Sequence, residues 1–130
     1  MTEQELKEVA RFLDTELAEL EEISKELESI TESHRGIRIS MTELSTKEFE
    51  VIERSKARIL STLTITTTYV SSLIEKFKLL PAEIYNRLKQ FYEKIYSIIS
   101  KFINLFEIEQ ITLTISVQPA LQIIFKPKQT

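Results

Sequence analysis

Three stretches of this chain place apolar residues on one recurring 3-4 spacing, and that repeat constrains the fold more than anything else in the sequence. The first comprises Leu6, Val9, Leu13, Leu20, Ile23, Leu27 and Ile30, broken only at Glu16. The second comprises Phe49, Ile52, Ile59, Leu63, Val70, Leu73, Phe77 and Leu80, with breaks at Lys56 and Thr66. The third, Ile84, Leu88, Phe91, Ile95, Ile98, Phe102 and Leu105, is unbroken. A period of about 3.5 held this long specifies supercoiled helices packed knobs into holes.

Helix boundaries follow from local chemistry. Thr2-Glu3-Gln4-Glu5 and Ser45-Thr46-Lys47-Glu48 both read as capping boxes, the second flanked by Leu44 and Phe49 in staple positions. Gly36, the only glycine, sits where a left-handed C-cap belongs, with His34 and Arg35 placed to meet the negative helix end. Pro81 stops the second helix and suits the first turn of the third. The run LTITTTY from Leu63 to Tyr69 has strand-like composition, but the heptad passes through it and no turn residue interrupts it, so it reads as helix. The expected helices are about 3–34, 46–80 and 82–106.

After Glu107 the period changes to two. Ile111, Leu113, Ile115 and Val117 alternate with Thr112, Thr114 and Ser116; Leu121, Ile123 and Phe125 alternate after Gln118-Pro119-Ala120. This predicts a hairpin over about 110–126, its end blunted by Pro127 between two lysines. Residues 36–41 also alternate, and three antiparallel helices would bring them to the same end of the bundle. A third strand there is therefore expected. The fold class is mainly α: an antiparallel, coiled-coil-like three-helix bundle with a C-terminal β-hairpin, residues 1–130 forming a single domain.

Helix 3 carries a second apolar stripe, Tyr85, Tyr92, Ile99 and Phe106, widened by Tyr96 and Ile103. Its apolar face spans roughly 160°, more than a two-helix seam needs. Helix 3 either packs on two helices at once, the simpler reading, or meets another molecule; the four residues of the stripe are the candidate interface. Glu16, Thr66 and Tyr96 fall at about one height and suggest a polar layer that fixes register. The simpler alternative has Leu17 pointing inward and Glu16 turned to solvent. Lys56 is expected to lay its stem on the seam.

Catalytic chemistry finds no framework. The chain has no cysteine, hence no disulfide, no thiolate and no Cys-ligated metal. Its single histidine, His34, has Thr31 where a Glu-x-x-His metal pair needs glutamate. One glycine cannot build a phosphate loop. No enzyme, cofactor or metal is expected. No run is long and apolar enough to span a membrane, and the polar face of helix 3 carries too few lysines to suit a membrane surface.

The net charge of −3 is unevenly spread. Residues 1–34 hold eleven acidic and three basic side chains, a balance of −8, and the remainder carries +5. Direct nucleic-acid binding is not expected of an acidic chain. Glu3, Glu8, Glu19, Glu22 and Glu26 line a negative face roughly 45 Å long. Glu19, Glu22 and Glu26 are the candidate docking face for a basic groove, such as a polymerase channel. The bland reading of that face is solubility. The combination of surplus apolar face, acidic helix, basic remainder and hairpin edge points instead to assembly, with a homo-oligomer as the product.

The Ile-, Glu- and Lys-rich helices, nearly free of glycine, and the tail TLTISVQPALQIIFKPK together resemble small helical-bundle virion proteins of the two-tailed archaeal virus (bicaudavirus) family over the whole chain. No motif aligns, so no functional residue is carried over. The resemblance implies a virion structural role, with other virion proteins as partners and the virion or host cytoplasm as location. It also implies kinship with a small helical inhibitor of host RNA polymerase, which makes that enzyme the alternative partner. High Glu and Lys with little Gly also suits a heat-stable protein on physical grounds.

Overall fold

The computed structural model describes residues 1–34 and 44–102 and, as backbone, Ile108–Ile115 and Leu121–Pro127. The body is mainly helical: α1 (Glu3–Ser33), α2 (Thr46–Phe77) and α3 (Ala82–Lys101). Both capping boxes form. The Glu5 N–H donates to Thr2 Oγ1 (3.1 Å) and the Thr2 N–H to Glu5 Oε1 (2.9 Å). At α2 the Glu48 N–H donates to Ser45 Oγ (3.1 Å) and the Ser45 N–H to Glu48 Oε1 (3.0 Å). Each box satisfies helix-end donors that have no partner within the helix. The staple forms by half: Leu44 packs against the core, whereas Phe49 is exposed.

Ion pairs fix the helix directions. Glu5 meets Lys76, Glu19 and Glu26 meet Arg58, and His34 meets Glu48, so numbers fall along α2 as they rise along α1. Asp14 meets Arg87 and Glu28 meets Lys101, so α1 and α3 run the same way. The bundle is up-down-up. The backbone of α1 lies close to both other helices, while α2 and α3 stand farther apart.

The core is the three seams laid together. Leu20, Ile23, Ile59, Ile84, Phe91 and Ile95 are among its fully buried members. The segment 63–69 is helical despite its β-branched residues; burial of Leu63 and Val70 outweighs the local propensity cost.

One helix end differs from expectation. The second helix stops at Phe77, not Leu80. Lys78 takes φ 67°, ψ −47°, and the Leu79 N–H donates to Phe77 O at 2.7 Å, a γ-turn with positive φ at its centre. The turn leaves Leu79 78 % exposed and Leu80 4 % exposed. Pro81 disfavours helical backbone at Leu80, and reversing the chain early keeps Leu80 in the core while exposing its neighbour. The third helix is described over Ala82–Lys101, with Phe102 following at φ −111°, ψ 21°; the expected end near 106 lies outside the described residues. Phe102 is buried, as its seam position requires. Gly36, Arg35 and the expected strand at 36–41 lie outside the described residues, as do Ile103, Leu105 and Phe106.

Candidate interaction surfaces

The second stripe of α3 divides. Tyr92 and Ile99 are buried, Tyr85 and Tyr96 are exposed, and Phe106 lies outside the described residues. As an interface of four residues the stripe is therefore corrected: its middle belongs to the core. Burial pushes the Tyr92 phenol above its ordinary pKa, with the neighbouring Thr67 of α2 acting the other way. Tyr92 also packs edge-on against Phe91 at 5.4 Å. Helix 3 thus faces both other helices, the simpler of the two sequence readings.

The face of α3 that carries Tyr92 also carries Tyr85 and Tyr96, seven and four residues away. On α2, Thr67 shares its face with Leu60, seven residues earlier. Leu60 and Tyr96, 42 % and 56 % exposed, consequently flank the α2–α3 seam. Phe49 stands on the same side of α2, nearer its N-terminus, and is also exposed.

The acidic candidates of α1 are occupied within the chain. Arg58 Nε donates to Glu19 Oε1 at 2.7 Å and its Nη1 to Glu26 Oε2 at 2.9 Å; Glu22 lies 3.7 Å from Nη2. The three carboxylates raise the guanidinium pKa, with the Glu19 hydrogen bond first. The fork of Arg58 reaches three carboxylates stacked at roughly helical spacing, which a single ammonium does not do. Sequence reading missed this because Arg58 lies 39 residues from Glu19. Glu22 remains the most exposed of the three.

The expected polar layer forms with different members. Glu16 is half-buried; burial, then the Glu19 charge, raise its pKa, and the neighbouring Thr62 opposes the rise. Leu17 is half-buried too, so neither residue takes the inward position outright. Thr66 and Ser55 are fully buried, and among the described residues their hydroxyls, like that of Thr67, have no hydrogen-bond partner. Tyr96 turns out to solvent, and Tyr92 takes the layer's place on α3. Lys56 is half-buried, its ammonium 3.0 Å from Glu53, as a snorkelling side chain requires. The remaining concavity of note is an open groove between α1 and α3, about 770 Å³, lined by Ala10, Asp14, Ala18, Glu83 and Arg87 among others. The Arg87–Asp14 ion pair crosses it, and Glu83 of the same helix also holds Arg87.

A further surface was not singled out from the sequence. Ala57, Leu60, Ser61, Thr64, Ile65, Thr68, Ser71 and Ser72 are all exposed on α2, and none is charged. The outward residues of α1 and α3, by contrast, include Glu3, Lys7, Arg11, Glu21, Lys89 and Glu93. The signal was present as a gap in charge at the outward heptad positions of α2, opposite the seam that drew the helix assignment.

Among the described residues no helix is long and apolar enough to cross a membrane, and no group of three or more His, Cys, Asp or Glu residues is placed to hold a metal ion. No protein-family model, no curated protein and no solved structure matches this chain.

Proposed function

We propose that this protein is a non-enzymatic structural subunit that works by self-association. The carrying observation is the set of large apolar side chains left in solvent on α2 and α3: Phe49, Leu60, Ile65 and Tyr96 are each more than 40 % exposed. Helix α1 keeps its seam inside and shows charge outside. Apolar area that folding has not buried lowers the free energy of association when a partner covers it.

The C-terminal hairpin belongs to the same proposal. Its support is the period-2 alternation of Ile111, Leu113 and Ile115 and of Leu121, Ile123 and Phe125. Positions two apart share a strand face, so each strand of a hairpin would carry one apolar face. Two strands alone are marginal in water; a layer supplied by assembly would stabilise them. The resemblance to bicaudavirus virion proteins supports a virion as the setting. The alternative, an acidic inhibitor seated in a basic groove of host RNA polymerase, requires Glu19, Glu22 and Glu26 to be available. Arg58 already engages all three, which leaves that reading with less support.

The test is the mass of the purified protein by light scattering over a wide concentration range. Self-association predicts a mass that rises with concentration. A strict monomer at high micromolar concentration, in low and high salt alike, would sink the proposal. Binding of the monomer to polymerase, weakened by reversing the charges of Glu19, Glu22 and Glu26, would favour the alternative.

A further inference from the structure

The uncharged face of α2 has an internal symmetry. It runs from Ala57 to Ser72, centred between Thr64 and Ile65. At 1.5 Å per residue its length is about 24 Å. Ala57, Ser61, Thr64 and Thr68 lie along its middle, spaced by three or four. Leu60 forms the shoulder toward α3. Ile65, four residues before Tyr69 and seven after Arg58, forms the shoulder toward α1, since Tyr69 stacks on Phe12 and Arg58 binds Glu19. Small side chains along the middle let another helix approach closely, and the two apolar shoulders give it something to bury.

Charges bound this face at both ends. Arg54 precedes it and Glu75 follows it, both exposed. Within the chain neither makes an ion pair among the described residues, whereas Glu53 pairs with Lys56 and Lys76 with Glu5. Arg54 and Glu75 are equidistant from the centre of the uncharged face. A two-fold axis through that centre, with the helices antiparallel, would therefore bring Arg54 of each copy to Glu75 of the other. Only an isologous contact has this self-complementarity.

We infer that a second copy of this chain docks on the outer face of α2, in an antiparallel two-fold contact centred at Thr64–Ile65 and closed at each end by an Arg54–Glu75 pair. The inference rests on the self-association reading and names its surface. Copy-to-copy contact through α1 would set a strongly acidic helix against itself, and like charges across an interface are costly. The middle of α2 carries no such cost. The contact is one helix face wide, well below the roughly 800 Å² per partner of standard complexes. It is accordingly a weak joint, formed in full at the high local concentration of an assembly.

Sedimentation equilibrium from about 10 µM to 1 mM, a range suited to so small an interface, separates the outcomes. The native chain is expected to pass from monomer to dimer across this range. Thr64→Arg sets two arginines together at the axis and should weaken association by roughly a hundredfold; Thr64→Ala should leave it nearly unchanged. Arg54→Glu and Glu75→Arg should each weaken it, and the double reversal R54E/E75R should restore it. All these positions are exposed, and circular dichroism would confirm that each variant keeps its helices. A native chain that stays monomeric throughout overturns both this inference and the self-association reading. A native chain that associates, with a mass indifferent to Thr64→Arg or without rescue by the double reversal, overturns the α2 contact alone.

Discussion

Helices α1 and α2 are nearly equal in length, 31 and 32 residues, yet they divide the work of the molecule differently. The buried side of α1 is wholly aliphatic: Val9, Leu13, Leu20, Ile23, Leu27 and Ile30. Its outside is charged. The buried side of α2 includes three hydroxyls, Ser55, Thr62 and Thr66, and its outside is uncharged for four turns. Thus α1 buries its apolar residues and meets solvent with ordinary charge. The α2 helix places hydroxyls in the core and leaves apolar side chains in solvent. That difference is what the proposed self-association draws on.

The sharpest break in that comparison is a cavity in α1. Leu20→Ala should cost about 2–5 kcal/mol, because Leu20 is fully buried in a close-packed layer. Urea unfolding followed by circular dichroism measures it. A cost below about 1 kcal/mol would mean that the α1 seam is not packed as described. The matching change in α2 has the opposite sign. Thr66→Val keeps the shape and removes a buried hydroxyl that has no partner, so stability should rise by about 1 kcal/mol. A loss of stability would show that the hydroxyl is satisfied in solution.

The contact between the two helices is tested at Arg58. Arg58→Ala should cost about 1 kcal/mol, a modest figure because its partners are at least one-third exposed and solvent screens the pairs. The loss should shrink in high salt. Arg58→Lys should recover only part of it, since an ammonium lacks the fork.

The smallest effects are in pH, and they too differ in sign between the helices. The Ser45 backbone N–H, with further help from His34, holds Glu48 of α2 below the ordinary carboxylate value of 4.5. Its contribution is present above that value and is lost as pH falls through the folded-state pKa. Glu16 of α1 is shifted upward, mainly by burial. Its folded state favours the proton, so its contribution is present below 4.5 and is lost as pH rises through the folded-state pKa. Melting temperatures should therefore show Glu48→Gln less stable than the native chain at pH 7, the gap closing on acidification. Glu16→Gln should be more stable at pH 7, its gap also closing in acid. Identical profiles for the two variants would contradict the assigned environments.

Much of the helical body was legible because its signals are local. The capping boxes at Thr2 and Ser45 involve residues three apart, and the heptads specify which positions point inward. Even Leu63–Tyr69 was readable as helix, since the period overrode the composition. The end of α2 was less legible: Pro81 marks where helix is forbidden, not where the chain turns. The surfaces were the least legible. Two members of the candidate interface, Tyr92 and Ile99, proved to be core, and Glu19, Glu22 and Glu26 proved to be held by Arg58.

By itself, then, the sequence determined that three amphipathic helices form and which stripe of each is buried. Those facts depend on spacing within a few turns, and backbone geometry converts spacing into a face. Only the tertiary structure decided what each face meets. Closure of the three helices buried Tyr92 and left Tyr96 outside, and the antiparallel register of α1 and α2 brought Arg58 to its carboxylates. Both depend on the distance between helices far apart along the chain. No local pattern encodes that distance; it is set when the three seams close on one another.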